Sequence, residues 1–308
     1  MTEAEFCQYD DLPLLAPLGI RTSWGKLDGS LGTLDLLADT AVREAAQSVA
    51  SGQVLSLSLE SDLLDPPLFG RRPTVHTVSE TGRNIFEDEL DQFNPQSSSQ
   101  LDGLLHVRAR EYGFYGGITD HDEARDALGM HHWAQRAIVG RGVLVDVRGH
   151  YGQEWNPFEE RTLGVEELTS ILEAQNVTLE PGDILCLRFG WVAEYRARQI
   201  RRENLTSAGD EFAGIASTDD MVRFLWNSQI AAVMADNPAV ESAPGNPKNG
   251  SLHRKLIPGL GYALGELLDM DKLAEACHAR GRFDFLFVAA PLNLYGAASS
   301  TANALAIL

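Results

Sequence analysis

The strongest constraint on the fold is that short apolar segments alternate with amphipathic segments along most of the chain. Residues 137–147 contain a β-branched run that ends in Asp146. Apolar runs of this kind are typical of strands that are buried on both faces, and helical periodicity between them predicts an α/β fold. The predicted strands are residues 137–147, 184–189, 230–235 and 283–289, and the predicted helices are residues 164–176, 219–227 and 269–280.

Two further segments have a distinct organisation. Residues 31–57 are predicted to form an amphipathic helix that Gly52 ends and that a short strand follows. Residues 192–216 are rich in Arg and Glu and lack a strong period, which predicts an irregular surface excursion or lid. Composition does not change abruptly anywhere, so we expect a single domain over residues 1–308.

The charge balance narrows the possible partners. The 308 residues include 44 acidic and 25 basic side chains, which gives a formal net charge of −19. A chain this acidic is repelled by phosphate backbones and anionic lipid, which argues against nucleic-acid and membrane partners. Most of the carboxylates are expected on a solvated surface, and the alternative is that some of them hold a cation.

Cysteine usage and the chain start predict a cytoplasmic protein. Cys7, Cys186 and Cys277 cannot form a disulfide framework and do not lie in a C-x-x-C pair. The first six residues lack the basic and apolar regions of a signal peptide, and no stretch approaches the roughly 20 apolar residues that a membrane helix needs.

One segment concentrates polar groups that suit chemistry. Gln96, Gln100, Asp102 and His106 lie at intervals of four, two and four residues. Amide and carboxylate oxygens are hard metal ligands, and a neutral imidazole is a ligand or a general base. On spacing alone, the alternative is a polar turn with one core histidine.

A second pair lies far along the chain. His253 and Glu266 bracket a Gly-rich turn and could return to the same site, although a surface histidine and a helix-capping glutamate are the alternative. The chain has no Gly-x-Ser-x-Gly nucleophile elbow and no Gly-x-Gly-x-x-Gly phosphate loop.

These residues resemble a known family, the cyclase family of metal-dependent hydrolases, which includes kynurenine formamidases, isatin hydrolase and trans-dienelactone hydrolase. Its hallmark is His-x-Gly-Thr-His-x-Asp-x-x-x-His, and longer members carry Gln-x-Asp-Gly-Leu-x-His, which residues 100–106 match. Other segments that resemble the family are residues 23–25, 31–37, 115–117, 138–146, 181–183, 235–241, 264–266, 290–296 and 303–307.

The resemblance implies a swivelling α/β/β domain, here with an amino-terminal extension over about residues 1–50, assembled as a homodimer or homotetramer. It implies that Asp102 is a metal ligand and that His106 is the catalytic acid or base. His253 and Glu266 correspond to the distal residues that complete the metal site. Gln96 and Gln100 stand where the family usually has histidines, and they either bind the metal or hold water or substrate.

The two glutamines also change the expected metal chemistry. Amide oxygens bind zinc weakly and suit harder cations better, so the metal is expected to be Mn²⁺ or Zn²⁺, bound loosely, or absent. The leading hypothesis is hydrolysis of a C–N or C–O acyl bond of a small cyclic amide, lactone or aryl formamide by metal-activated water, with His106 as acid or base.

Two alternatives stay open. In the first, His106 and Asp102 act without metal as general acid and base, and Gln96 and Gln100 donate hydrogen bonds to a substrate carbonyl. In the second, the chain is an inactive binding scaffold. Aromatic side chains that could stack on a planar substrate, or else pack in the core, are Tyr112, Phe114, Tyr115 and Trp191.

Overall fold

A nine-stranded mixed sheet forms the centre of the molecule. The computed structural model describes residues 6–308; residues 1–5, which belong to the predicted extension and to the segment considered for a signal peptide, lie outside the described residues. The strands are β1 Leu14–Leu15, β2 Ile20–Arg21, β3 Val54–Ser56, β4 Val75–Gly82, β5 Ile85–Asp91, β6 Gln100–Asp102, β7 Ile138–Asp146, β8 Thr162–Leu163, β9 Ile184–Arg188, β10 Gly214–Ile215, β11 Ala232–Ala235, β12 Ala263–Glu266, β13 Asp284–Ala289, β14 Ser299–Thr301 and β15 Ala304–Ile307.

The order across this sheet is β14-β6-β12-β11-β9-β7-β13-β15-β3. The four central strands, β12, β11, β9 and β7, are parallel, and the pairs outside them are antiparallel. Helices pack around the strands and connect them. They are α1 Asp39–Gln47, α2 His121–Leu128, α3 His131–Arg136, α4 Val147–Tyr151, α5 Val165–Ala174, α6 Trp191–Ile200, α7 Asp219–Asn227, α8 Leu252–Arg254 and α9 Asp271–Arg280. The α/β prediction is confirmed.

Two sequence expectations need correction. The helix predicted in residues 31–57 begins only at Asp39, because Gly32–Leu36 forms a 3₁₀ turn whose leucines pack inward ahead of α1, and it ends at Gln47 rather than at Gly52. Residues 192–216 were expected to be irregular, but their first nine residues lie in α6, whose inner face is held by Trp191, Val192 and Tyr195. That face is buried by tertiary packing, which the weak local period does not reveal.

Both faces of the central sheet are covered, which explains why its strands are continuously apolar. Leu144 and Cys186 point into one buried cluster. Their neighbours Val143 and Leu185 point into a second buried cluster on the opposite face. Alternation along β7 and β9 therefore supplies two hydrophobic layers from the same residues.

A separate hairpin, formed by β4 and β5, stands outside the large sheet. Its apolar side chains are largely exposed, including Val78, Phe86 and Leu90. The hairpin lies in the connection between β3 and β6, so the chain that precedes the polar segment is a long excursion. Among residues 6–308, no helix combines the length and the apolar character that crossing a bilayer requires.

Candidate metal centre

The pairing of β6 with β12 brings the two halves of the candidate site together. These strands are antiparallel, and Glu266 lies directly opposite Gln100 while Leu264 lies opposite Asp102. Directly opposed residues present their side chains on the same face, and so do residues two apart along a strand. Gln100, Asp102 and Glu266 therefore share one face of the sheet, and all three are buried.

His253 reaches this face from α8. Its Nε2 lies 2.9 Å from Glu266 Oε1 and 3.9 Å from Asp102 Oδ2. Asp102, His253 and Glu266 each present one possible ligand atom, and these atoms lie within 4.8 Å of one another. Residues that are 164 positions apart in sequence, Asp102 and Glu266, thus converge with a histidine on one point.

Glu241 holds His253 from its other side. The Glu241 Oε1 atom lies 2.8 Å from His253 Nδ1 and 3.3 Å from the His253 amide nitrogen. The same carboxylate accepts hydrogen bonds from Leu252 N at 2.7 Å, Ser217 Oγ at 2.5 Å and Ser251 Oγ at 3.2 Å. With Nδ1 bound to a carboxylate, the imidazole is oriented so that Nε2 faces the other two donors.

Glu241 is a residue that the sequence analysis did not assign to the site, although it lies in a segment that resembles the family. Its position depends on the turn after β11, where the Asn237 side chain accepts from Val240 N at 2.8 Å and donates to Ala213 O at 2.7 Å. The sequence signal was the polar run after a buried strand, but nothing in it indicates which partner Glu241 contacts.

Asp102, His253 and Glu266 are called the donor cluster below, because each offers an atom that can bind a metal. The two glutamines contact this cluster through their amide nitrogens. Gln96 Nε2 donates to Asp102 Oδ1 at 2.8 Å, and Gln100 Nε2 donates to Glu266 Oε2. The structure therefore brings both predicted glutamines to the cluster, as hydrogen-bond donors to its carboxylates. Either glutamine would have to rotate its amide by about 180° to direct its oxygen, rather than its nitrogen, toward a cation bound by these carboxylates.

His106 lies at the edge of the cluster and retains contact with solvent. Its Nε2 is 3.4 Å from Asp102 Oδ2, its Nδ1 is 3.4 Å from Gln96 Nε2, and its side chain is 27% exposed. The ring centroids of His106 and His253 are 6.3 Å apart. A histidine in this position can exchange a proton with a molecule bound beside Asp102.

Burial and charge shift the acid–base properties of these groups in different directions. Burial, reinforced by the charge of Glu266, raises the pKa of Asp102 to about 6. Burial also lowers the pKa of His106, against the pull of Asp102. For His253, burial alone would lower the pKa, but hydrogen bonds to Glu241 and Glu266 outweigh it and raise the pKa well above its ordinary value.

Arg71 is a second site residue that sequence reasoning missed. It follows the short 3₁₀ turn Leu68–Gly70. Its Nη1 donates to the Gln96 carbonyl oxygen and, at 3.3 Å, to Gln100 Oε1, while its guanidinium stacks on Phe69 with 5.1 Å to the ring centroid. It lies in an excursion without a recognisable motif, so the sequence contains no signal for it.

The predicted aromatic residues are packed among neighbours other than the donor cluster. Tyr112 is half-buried in a 3₁₀ turn, Phe114 lies under Arg108 and the Tyr115 hydroxyl contacts Ser23 Oγ at 3.2 Å. Trp191 is buried, with ring-centroid distances of 5.2 Å to Phe158 and 5.1 Å to Tyr195. Stacking of a substrate ring on these four side chains stays a prediction.

A cavity of about 330 Å³ adjoins Glu241 and Ser251. Its walls are largely apolar and include Phe69, Phe212 and Pro247. The volume lies within the range that small-molecule sites occupy. Phe69, which lines the cavity, also stacks under the Arg71 guanidinium, and Arg71 contacts Gln100.

The donor set fits a divalent cation. Two buried carboxylates and one imidazole are suitable ligands for Mn²⁺ or Zn²⁺. The imidazole is already oriented by a carboxylate on its other nitrogen, as metal-binding histidines usually are. Three protein ligands would leave further coordination positions open, which distinguishes catalytic sites from closed structural sites.

Comparison with known proteins agrees with the fold. A family model described as "Putative cyclase" matches residues 53–242. The crystal structure of a novel cyclase is 27% identical, with a TM-score of 0.80, and the alignment covers 93% of this chain and 99% of that one. A comparison with curated proteins finds no significant match.

More distant structures share the fold. An isatin hydrolase bound to the product analogue thioisatinate is 14% identical with a TM-score of 0.60, covering 88% of this chain and 98% of that one. Isatin hydrolase A from Labrenzia aggregata is 16% identical with a TM-score of 0.56, covering 86% and 98%.

Proposed function

The chain belongs to the cyclase family, a family of enzymes, and we propose that it is a metal-dependent hydrolase. We propose that it cleaves a C–N or C–O acyl bond in a small cyclic amide, lactone or aryl formamide. The observation that carries the proposal is the convergence of Asp102, His253 and Glu266, with His106 at the solvent side of Asp102.

Asp102, His253 and Glu266 would hold the cation, Mn²⁺ or Zn²⁺. When bound, such a cation acts as a Lewis acid that polarises a carbonyl oxygen and lowers the pKa of water. Glu241 keeps the His253 ring in the orientation that presents Nε2 to the two carboxylates. The polypeptide thus supplies one oriented imidazole and two buried carboxylates before any ligand binds.

His106 supplies the proton transfer. Burial lowers its pKa, so the imidazole is neutral near pH 7 and accepts a proton from the attacking water. It then returns the proton to the leaving nitrogen or oxygen. Its partial exposure and its 3.4 Å distance from Asp102 Oδ2 support this role, because the ring can contact both a substrate and the donor cluster.

We place the reacting bond of the substrate beside His106 and Asp102, and we assign the part of the substrate remote from that bond to the cavity of about 330 Å³ that Glu241 lines. Its apolar walls, with Phe69 and Phe212, suit a small planar ring. Phe212 lies in residues 201–216, the part of the predicted lid that follows α6, so closure of this segment over the ligand is part of the proposal. Ligand-dependent protection of residues 201–216 from limited proteolysis would test that closure.

The central experiment combines metal analysis with activity before and after chelation. Purified protein is assayed on N-formylkynurenine, isatin and a dienelactone, then treated with EDTA and reconstituted with Mn²⁺ or Zn²⁺. We expect turnover of one substrate class, loss of activity on chelation and recovery with one of the two metals. Full activity in protein that contains no divalent metal contradicts the proposal.

A metal-independent acid–base enzyme is the second candidate, and the orientation of the glutamines favours it. Gln96 Nε2 donates to Asp102 Oδ1 and Gln100 Nε2 donates to Glu266 Oε2, so both glutamines present N–H groups rather than amide oxygens to the carboxylates. In this mechanism, His106 and Asp102 exchange the proton and the amides bind a substrate carbonyl. Activity that EDTA does not change, but that His106→Ala abolishes, would select this candidate.

An inactive scaffold is the third outcome of the same assays. It would bind a small molecule in the cavity but turn over none of the three substrate classes. The oligomeric state implied by the family resemblance, a homodimer or homotetramer, is also a proposal, and light scattering on the purified protein would test it.

A further inference from the structure

The Gln100 side chain links Arg71 to the donor cluster, and Arg71 also donates to the Gln96 carbonyl oxygen. Its Nη1 donates to Gln100 Oε1 at 3.3 Å, and Gln100 Nε2 in turn donates to Glu266 Oε2. Glu266 then contacts His253 Nε2 through its other oxygen at 2.9 Å. A continuous chain of hydrogen bonds therefore runs from the arginine to the imidazole.

The chemistry of arginine fixes the orientation of this chain. A guanidinium has five N–H donors and no acceptor, so the Gln100 atom that faces it must be the carbonyl oxygen. The amide nitrogen must then face Glu266, because an ionised carboxylate accepts hydrogen bonds and cannot donate them. Gln100 cannot offer its oxygen to a cation beside Glu266 unless the contact with Arg71 is broken.

The positive charge of Arg71 also opposes the binding of a cation at Glu266. The Arg71 guanidinium is a permanent positive charge separated from the Glu266 carboxylate by a single amide group. A divalent cation bound at Glu266 would be repelled by it, and the repulsion is weakly screened because Gln100 and Glu266 are buried.

We propose that Arg71 is a positioning residue that keeps Gln100 out of the metal coordination shell and weakens the affinity of the site for divalent cations. The inference rests on the proposed metal site. It distinguishes the role of Gln100 from that of Asp102, His253 and Glu266, which remain the protein ligands. Its consequence is that removing the half-buried positive charge of Arg71 strengthens binding, which general destabilisation would not do.

The test is calorimetric titration of metal-free full-length protein with Mn²⁺, and separately with Zn²⁺, in the absence of substrate. The variants are Arg71→Met, Gln100→Leu and the double variant, with Arg71→Lys to retain the charge. Arg223→Met is the matched control, because Arg223 also stacks on an aromatic ring, Tyr9, at 5.3 Å and pairs with exposed acids rather than with the cluster.

We expect Arg71→Met to tighten binding by about tenfold and Gln100→Leu to change it by less than about twofold. Part of the gain in affinity of Arg71→Met comes from the Gln100 amide oxygen, which is free to turn toward the metal. The double variant lacks that amide, so it should keep only the gain that comes from removing the positive charge. Arg71→Lys should fall between wild type and Arg71→Met, and Arg223→Met should bind like wild type. Circular dichroism and melting temperature establish that each variant is folded.

Several results would overturn the inference. Folded Arg71→Met and Arg71→Lys that bind no more tightly than wild type would remove the proposed role of Arg71. A tenfold loss in Gln100→Leu would show that Gln100 is a ligand despite Arg71. If the wild-type protein binds neither metal, the proposed function is contradicted. The inference about Arg71 depends instead on the difference between wild type and Arg71→Met. Binding that appears or tightens in Arg71→Met supports the inference, and absence of binding in both proteins refutes it.

Discussion

Replacement of Glu241 by glutamine tests how the donor cluster is held in place. The substitution preserves the size of the side chain but exchanges one carboxylate oxygen for an amide nitrogen. In the native protein, the two oxygens accept hydrogen bonds from the hydroxyls of Ser217 and Ser251 and from the backbone nitrogen of Leu252. They also accept from the backbone nitrogen and from Nδ1 of His253. An amide with one oxygen cannot accept all of these bonds.

Either orientation of the new amide has a cost. If its oxygen faces Leu252 N, its N–H faces His253 Nδ1, which must then accept a hydrogen bond. The neutral form of the ring, which is the form that binds a metal, would then carry its one proton on Nε2, and a protonated Nε2 cannot bind a metal. If its oxygen faces His253 instead, the Leu252 N–H loses its acceptor, and the start of α8 is destabilised.

The expected effect on metal binding follows because Glu241 contacts Nδ1 of His253, the ring nitrogen that does not bind the metal. We expect affinity for Mn²⁺ or Zn²⁺ to fall by about 10- to 100-fold, or about 1.4–2.7 kcal/mol. The free energy of unfolding of the metal-free protein should fall by about 1.5–3 kcal/mol, because hydrogen bonds to a charged group are lost.

Calorimetric titration measures the affinity, and urea unfolding measures the stability. Asp88→Asn is the matched control, since Asp88 and His76 form a similar carboxylate–histidine pair at 2.6 Å on the exposed hairpin. A folded Glu241→Gln protein that binds metal within twofold of wild type would refute the argument that Glu241 sets the tautomer of His253.

Three further predictions concern catalysis, packing and pH. His106→Ala should reduce kcat by about 10²- to 10⁴-fold and leave metal affinity within a few-fold; unchanged kcat would exclude His106 from proton transfer. Gly214→Ala should reduce the free energy of unfolding by about 1–3 kcal/mol and weaken metal binding, because an added methyl group would overlap the backbone at Glu241; unchanged melting would contradict this. Burial raises the pKa of Asp183 to about 6 although Arg141 opposes it, so this group favours folding below about pH 4 and the contribution is lost as the pH rises through 6. Asp183→Asn should therefore flatten the dependence of unfolding free energy on pH between about 4 and 6 by up to about 3 kcal/mol, as urea unfolding at several pH values would measure.

The elements that the sequence predicts best are those whose signal is local. The strand over residues 138–146 and the helix over residues 219–227 are recognisable because burial on two faces and an amphipathic period are written in consecutive residues. The helix α6 was missed because its buried face depends on aromatic partners such as Phe158, which lie elsewhere in the chain.

The candidate site divides in the same way. Residues 96–106 are close in sequence, so their spacing and the family resemblance were enough to select Gln96, Gln100, Asp102 and His106. Their roles were not determined, since an amide side chain has an acceptor and a donor end and the neighbours decide which end faces the cluster.

The sequence by itself determined the α/β class, the family resemblance and the residue types of the donor cluster, because these depend on local patterns and short motifs. Only the tertiary structure decided that β12 lies beside β6, that Glu241 holds His253 and that Arg71 faces Gln100. Those contacts join residues that lie 12 positions apart for Glu241 and His253, 29 for Arg71 and Gln100, and 166 for Gln100 and Glu266. Their geometry follows from strand register and loop packing, which no spacing within the sequence specifies.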